Sequence, residues 1–164
     1  MRIKRYFLVL VTLIAFTLQS FAQEGTTGIQ FFQGTFNDAL VKAKQENKVL
    51  FVDFYAVWCV PCKKMAKTVF TQEEVGKFFN EHFVSIQLDA EKGDNVNIAK
   101  SYKVVAYPTV AFISPDGKAI SVNTGAMNKD ELLEAAKIAA GQSISFEALY
   151  EKYKADNNDL DVQQ

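Results

Sequence analysis

Near its middle the sequence runs Trp58-Cys59-Val60-Pro61-Cys62-Lys63, and these six residues contain both cysteines of a 164-residue chain. A disulfide across so short a loop stabilises a fold by roughly 2 kcal/mol in the chain-entropy model, so the pair is a poor structural cross-link. An apolar run rich in β-branched residues precedes it at 49–56, and residues 63–70 have the pattern of a helix. The cysteines therefore lie where a strand leads into a helix.

This position has chemical consequences for the two thiols. The first turn of a helix has N–H groups without partners and a partial positive charge, and both stabilise an anion. We expect Cys59 to be held as a thiolate, the form that attacks disulfides. Cys62, one turn later, is predicted to face Cys59, to be more buried and to resolve the mixed disulfide. Pro61 suits the first helical turn, where no backbone N–H is needed.

Four features in this order resemble the thioredoxin family. They are the strand 52–56, the Trp-Cys-x-Pro-Cys-Lys motif at 58–63, Tyr107-Pro108-Thr109, and Gly125 before the last family helix. The resemblance extends from about Phe36 to Gly141. Within the family, the chain is most similar to secreted domains, including the C-terminal domain of a membrane electron-transfer protein that supplies reducing power to the bacterial periplasm. The resemblance implies an α/β fold, the thioredoxin-like α/β/α sandwich with a central mixed β-sheet.

Asp53 places a carboxylate inside the apolar run, where burial without a partner raises the carboxyl pKa. Thioredoxins have an aspartate six residues before the first cysteine. The resemblance therefore implies that Asp53 accepts the proton of Cys62, directly or through water. A strand-edge aspartate that faces solvent is the alternative. Thioredoxins often pair this aspartate with a lysine on the next strand, and Ser85 is predicted at that position here.

The predicted substrate-binding surface follows from the same resemblance. Trp58 is expected to shield the cysteines and to offer contact surface, and packing in the core is the alternative. Pro108 is expected to be cis beside the cysteine pair, which leaves the backbone of Tyr107 free to pair with an extended substrate segment. Val60 and Pro61 complete this surface. A substrate held mainly through its main chain accounts for broad specificity toward proteins.

Residues 1–22 have the pattern of an export signal. Three basic residues, an apolar run at 6–18 and the small-x-small sequence Ser20-Phe21-Ala22 predict cleavage near Ala22. An uncleaved membrane anchor is the alternative, but the run is shorter than the ~20 residues that span a bilayer. We therefore expect a periplasmic or secreted protein, in a compartment where cysteine pairs persist as disulfides unless something reduces them.

The remainder divides into three parts. Residues 23–34 are polar and are predicted to be a linker, residues 35–141 form the thioredoxin-like domain, and residues 142–164 form a C-terminal helical extension with a polar tail. The aromatic residues of this extension are expected to pack on their own domain, and binding to a partner is the alternative.

Helix starts and one glycine are also predicted. Thr35 and Asn128 are expected to cap helices, and Thr71-Gln72-Glu73-Glu74 has the pattern of a capping box. Gly125 is expected to allow close backbone approach near the cysteines.

Composition argues against several other classes of protein. The chain is 49% hydrophobic and 23% charged with a net charge of −1, which does not favour nucleic-acid binding. His82 is the only histidine, whereas a zinc site needs about four ligands. An iron–sulfur cluster lacks two cysteines, and haem attachment would need histidine in place of Lys63. We expect no metal, no cofactor and a monomer.

Three functions are compatible with these features. The first is an exported thiol–disulfide oxidoreductase that reduces protein disulfides and is recharged by a membrane electron-transfer partner. The second is the same chemistry run as an oxidase or isomerase, and the third is a binding module with an inert disulfide. Strong oxidants of the superfamily usually have histidine between the cysteines, so Val60-Pro61 favours the reductant.

Overall fold

The computed structural model describes residues 27–141, and the predicted export signal and the predicted C-terminal extension lie outside this range. The described residues form five α-helices and four β-strands. In chain order these are α1 (Phe36–Glu46), β1 (Val49–Tyr55), α2 (Val60–Thr68), α3 (Glu73–His82), β2 (Phe83–Asp89), α4 (Asn95–Ser101), β3 (Thr109–Ile113), β4 (Ala119–Thr124) and α5 (Lys129–Ala139). Within this part of the chain, no helix combines the length and apolar character needed to cross a bilayer.

The four strands form one mixed sheet in the order β2-β1-β3-β4. β1 is parallel to β2 and antiparallel to β3, and β4 pairs with β3 as a hairpin partner. Because β1 lies inside the sheet and is covered on both faces, its five central residues are all buried. This burial explains the continuous apolar run in the sequence.

Helices cover both faces of the sheet. Side chains alternate along a strand, so Leu50 and Val52 pack on the face covered by α1 and α4, whereas Phe51 packs on the face covered by α2, α3 and α5. The second face is rich in aromatic rings, and the Phe51 ring centroid lies 4.7 Å from that of Phe79 and 5.3 Å from that of Phe112. The predicted mixed sheet and α/β/α sandwich are confirmed.

Two of the three predicted helix starts are confirmed. Thr35 and Asn128 are the N-caps of α1 and α5, and each takes part in a capping box. The predicted capping box at α3 is wrong, because Gln72 is the N-cap and makes no side-chain cap hydrogen bond. The Thr71 hydroxyl instead donates to the backbone oxygen of Lys67 at 2.7 Å. Since α2 ends just before α3 begins, the first helix uses the hydroxyl that the second would need.

Part of the segment predicted to be a linker packs on the domain. The N–H groups of Ile29 and Phe32 donate to the backbone oxygens of Phe70 and Ser85, both at 2.7 Å. Their side chains are partly buried, because the apolar residues of this segment contact the two cores of the sandwich. Residues 29–32 are therefore folded with the domain.

Candidate active site

The cysteine pair lies where β1 leads into α2. Cys59 is the N-cap of α2, and Pro61 lies in the first turn. Cys59 and Cys62 form a disulfide with their Cα atoms 5.3 Å apart. The N–H of Cys62 donates to Sγ of Cys59 at 3.2 Å. Because this N–H is one of the unpaired donors at a helix start, it is suited to stabilise a Cys59 thiolate once the disulfide is reduced.

Both cysteines are buried, with exposed fractions of 2% for Cys59 and 6% for Cys62. The prediction that Cys62 is the more buried of the two is therefore wrong. Ala56 is buried with the pair, and Tyr55 and Tyr107 pack against it. With so little of either cysteine exposed, neighbouring residues form most of the surface around the disulfide.

That surface is apolar. Trp58 and Val60 flank Cys59 in the chain and are 64% and 73% exposed, so the alternative that Trp58 packs in the core is wrong. The Trp58 indole N–H donates to a carboxylate oxygen of Glu91 at 2.9 Å, and its ring meets the Tyr107 ring edge-on with centroids 6.1 Å apart. Glu91 was not predicted, because it lies in the loop after β2, 33 residues from Trp58, and nothing in the sequence distinguishes it from other surface carboxylates.

Pro108 lies immediately before β3, and the peptide bond between Tyr107 and Pro108 is cis. The carbonyl oxygen of Pro108 accepts a hydrogen bond from the N–H of Gly125 at 2.8 Å. Gly125 has a φ of 108°, and no other group lies within 4 Å of the position that a Cβ would take. The predicted reason for this glycine, close approach, is therefore wrong, and the backbone conformation requires it instead.

Asp53 lies near the end of β1 and is only 2% exposed, so the solvent-facing alternative is wrong. Burial raises the pKa of its carboxyl to about 6, although Nε2 of Gln87 donates a hydrogen bond to Oδ2 at 2.9 Å. A cavity of about 390 Å³ is lined by Asp53, Gln87, Cys62 and Lys63 together. This cavity is large enough to hold water between the Asp53 carboxyl and Cys62.

The neighbour of Asp53 on β2 is Gln87, and the predicted assignment to Ser85 is wrong. The strand register places Ser85 opposite Phe51 and Gln87 opposite Asp53. The Ser85 hydroxyl is buried and has no hydrogen-bond partner among the described residues. No ammonium from β2 therefore compensates the buried carboxyl, and a neutral amide takes that position.

A family model described as a thioredoxin-like domain matches residues 36–140, more than half of the chain. The chain belongs to the thioredoxin-like domain family. Its disulfide lies at the start of a helix.

This thioredoxin-like domain is similar to three proteins that are named for disulfide interchange or isomerisation. It is 34% identical over 80 residues to the thiol:disulfide interchange protein DsbD of Pseudomonas fluorescens, an alignment that covers 48% of this chain and 14% of that protein. A solution structure from Bacteroides thetaiotaomicron, provisionally named a disulphide-isomerase, is 41% identical, has a TM-score of 0.64, and is matched over 72% of this chain and 98% of that one. The oxidised C-terminal domain of Neisseria meningitidis DsbD is 28% identical with a TM-score of 0.56, over 67% of this chain and 99% of that one. The predicted similarity to a C-terminal domain of this type is confirmed.

The chemistry of this thioredoxin-like domain is centred on its two sulfur atoms. Between residues 27 and 141, no three histidine, cysteine, aspartate or glutamate side chains lie together as a possible metal site. The groups that surround the disulfide are instead a helix-start N–H, a buried carboxyl and an exposed apolar surface. Together they suit nucleophilic attack, proton transfer and the binding of a polypeptide, respectively.

Proposed function

We propose that the protein is an exported reductant of protein disulfides, with Cys59 as its nucleophile. The observation that carries the proposal is the environment of Cys59. Among the described residues, its sulfur accepts a hydrogen bond from the N–H of Cys62, and Val60 and Pro61 place no charged group between the cysteines. The helix start stabilises the Cys59 thiolate, but no histidine lies between the cysteines to stabilise it further as in strong oxidants, so the disulfide form of the pair is favoured, as in a reductant.

The reaction proceeds in two exchange steps. The Cys59 thiolate attacks one sulfur of a substrate disulfide, forms a mixed disulfide and releases the other substrate sulfur as a thiolate. The Cys62 thiol then gives its proton to Asp53, directly or through water, and attacks Cys59. The substrate leaves as a dithiol with two electrons gained, and the Cys59–Cys62 disulfide forms. A second dithiol protein has to return the enzyme to its reduced form.

Substrate binding is assigned to the surface formed by Trp58, Val60, Pro61, Tyr107 and Pro108. Trp58 and Val60 are exposed and apolar, so they gain contact area when an unfolded or extended segment covers them. The Tyr107 ring contacts the Trp58 ring and packs against the cysteine pair, which supports pairing of the Tyr107 backbone with the main chain of a substrate. Such pairing selects for an accessible disulfide in an extended segment and not for a particular side chain.

The export signal predicted at 1–22 supports a location in the periplasm or outside the cell. In that compartment the electron donor has to come from the membrane, because the surroundings favour disulfides. The DsbD relatives are named for thiol:disulfide interchange, which supports a partner that exchanges disulfides with this domain. Alternatively, the name of the Bacteroides thetaiotaomicron relative supports isomerase activity, in which Cys59 attacks non-native disulfides and leaves after rearrangement.

The reduction potential of the Cys59–Cys62 pair tests the direction of the reaction. Equilibration with glutathione is expected to give a reduction potential of about −270 mV, the value for thioredoxin. A potential of about −120 mV would identify a disulfide donor and contradict the proposal.

Insulin reduction with a small dithiol tests catalysis. Cys59→Ser is expected to abolish turnover, and Cys62→Ser to trap a mixed disulfide. Equal turnover in wild type and Cys59→Ser would indicate an inert binding module, and reactivation of scrambled ribonuclease without net reduction would favour the isomerase.

A further inference from the structure

We propose that Gln87 is a positioning residue for this reaction, whose amide holds one carboxylate oxygen of Asp53 and leaves the other for proton exchange in the cavity shared with Cys62. The inference rests on the proposed function of Asp53. It concerns the neutral side chain that lies beside the buried carboxyl. In this proposal Gln87 affects the rate of the second exchange step through Asp53 and not through contact with the substrate.

The geometry of the two central strands supports this role. Gln87 lies directly opposite Asp53 in the parallel register of β1 and β2, and its Nε2 is 2.9 Å from Oδ2 of Asp53. Every other side chain of β2 is buried or partly buried, whereas Gln87 is exposed. An exposed side chain therefore directs its donor inward, to a carboxyl that is only 2% exposed.

Among the described residues, the other groups around the cavity do not replace the hydrogen bond from Gln87 to Asp53. From α2, Lys63 and the reduced form of Cys62 face the cavity, and Lys63 is exposed to solvent. From β1, Tyr55 lines it as well, and from β3 the residue opposite Asp53 is Val110, which carries no charge. On β2 the next carboxylate is Asp89, two residues beyond Gln87 and opposite Tyr55.

The kind of side chain at position 87, whether neutral, positive or negative, therefore affects how readily Asp53 accepts a proton. An amide donor lowers the pKa of Asp53 against the raising effect of burial, and it does so without adding a charge. An ammonium at the same position would favour the carboxylate much more strongly. A second carboxylate there would share a proton with Asp53, because two negative charges at this distance do not both persist.

The experiment is a titration of the Asp53 side-chain carboxyl carbon by NMR, in the oxidised protein, for wild type and three variants. Gln87→Lys is expected to lower the pKa of Asp53 by about 1 to 3 pH units. Gln87→Leu and Gln87→Glu are expected to raise it, with the larger increase for Gln87→Glu. Ala119→Lys is the control, because it adds the same charge at an exposed position of β4, two strands away from β1.

The pH profile of mixed-disulfide resolution provides the second measurement. Its lower limb is expected to move in the same direction as the Asp53 titration in each Gln87 variant and to be unchanged in Ala119→Lys. An Asp53 titration that is the same in wild type, Gln87→Lys and Gln87→Leu would overturn the role of Gln87. Absence of turnover that depends on Cys59 would overturn the proposed function instead, so the two failures are distinguishable. Because Gln87 is exposed, the variants are expected to fold, and circular dichroism checks this.

Discussion

Phe51 and Asp53 lie two residues apart on β1 and on the same face of the sheet, with exposed fractions of 0% and 2%. Their surroundings are opposite. Three aromatic rings, including those of Phe79 and Phe112, pack against the ring of Phe51. Asp53 borders a cavity of about 390 Å³ and is held by one amide, that of Gln87.

The difference shows how one strand serves two purposes. Around Phe51, close packing gains dispersion and hydrophobic stabilisation, which holds the helices on the sheet. Around Asp53, space and a buried acid lower stability at neutral pH, but they provide the cavity beside Cys62 that the proposed proton transfer needs. On this face of β1, the fold therefore keeps its stabilising contacts around Phe51 and its candidate reactive groups around Asp53.

The largest effect is expected from truncation of Phe51. Phe51→Ala should lower the free energy of unfolding by about 3 to 5 kcal/mol, because a cavity replaces a ring with aromatic neighbours on three sides. Denaturant unfolding of the oxidised protein measures this. Ile138→Ala is the control, since Ile138 is 56% exposed and its truncation should change stability by less than about 0.5 kcal/mol. Equal losses in the two variants would show that the ring cluster does not hold the fold together. If Phe51→Ala does not fold, Phe51→Leu gives a smaller loss of the same kind.

Substitution of Asp53 is expected to raise the free energy of unfolding at neutral pH, whereas substitution of Phe51 lowers it. The pKa of Asp53 is about 6 in the folded protein, against 3.8 for an exposed aspartate, so the folded protein binds this proton more tightly than the unfolded chain does. The free energy of unfolding therefore falls by roughly 3 kcal/mol as the pH rises from about 4 through 6, and it stays at this lower value at higher pH. Asp53→Asn should accordingly be about 2 kcal/mol more stable than wild type at pH 7.5, with resolution by Cys62 slowed.

Unfolding of both proteins at pH 4 and pH 7.5 tests this sign. The advantage of Asp53→Asn should be present at pH 7.5 and absent at pH 4, where the wild-type carboxyl is protonated in the folded protein. Asp94→Asn removes an equal charge from an exposed position and is the control. A wild-type protein that is more stable than Asp53→Asn at pH 7.5 would mean that the ionised carboxyl is stabilised in the fold.

The contrast between the two residues also shows what could be predicted from the sequence. Burial of 49–55 and the unusual carboxyl at Asp53 follow from local composition alone, because only a strand covered on both faces is so continuously apolar. The contact to Gln87 could not be predicted in the same way. Ser85 and Gln87 point to the same face of β2, so the period of two does not distinguish them, and the register is set by packing along the whole strand.

Other differences have the same origin in tertiary contacts. The relative burial of Cys59 depends on Tyr107, which comes from a loop almost 50 residues further along the chain. The helix start at Gln72 depends on the end of the preceding helix, which takes the Thr71 hydroxyl. Local patterns thus predicted the elements and the reactive residues, and the groups that surround those residues required the fold.

The smallest effect is expected at the exposed edge of the site, where Trp58 is held by a hydrogen bond to Glu91 and one ring contact. Glu91→Ala should change the free energy of unfolding by less than about 1 kcal/mol, because an exposed hydrogen bond contributes little net stability. Trp58 is the only tryptophan, so its fluorescence anisotropy reports on this ring alone. We expect lower anisotropy in Glu91→Ala and wild-type anisotropy in Glu91→Gln, which keeps an acceptor oxygen. If Glu91→Ala kept the anisotropy of wild type, the contact with Tyr107 would be sufficient to hold the ring. Packing between aromatic rings would then hold Trp58 as it holds Phe51.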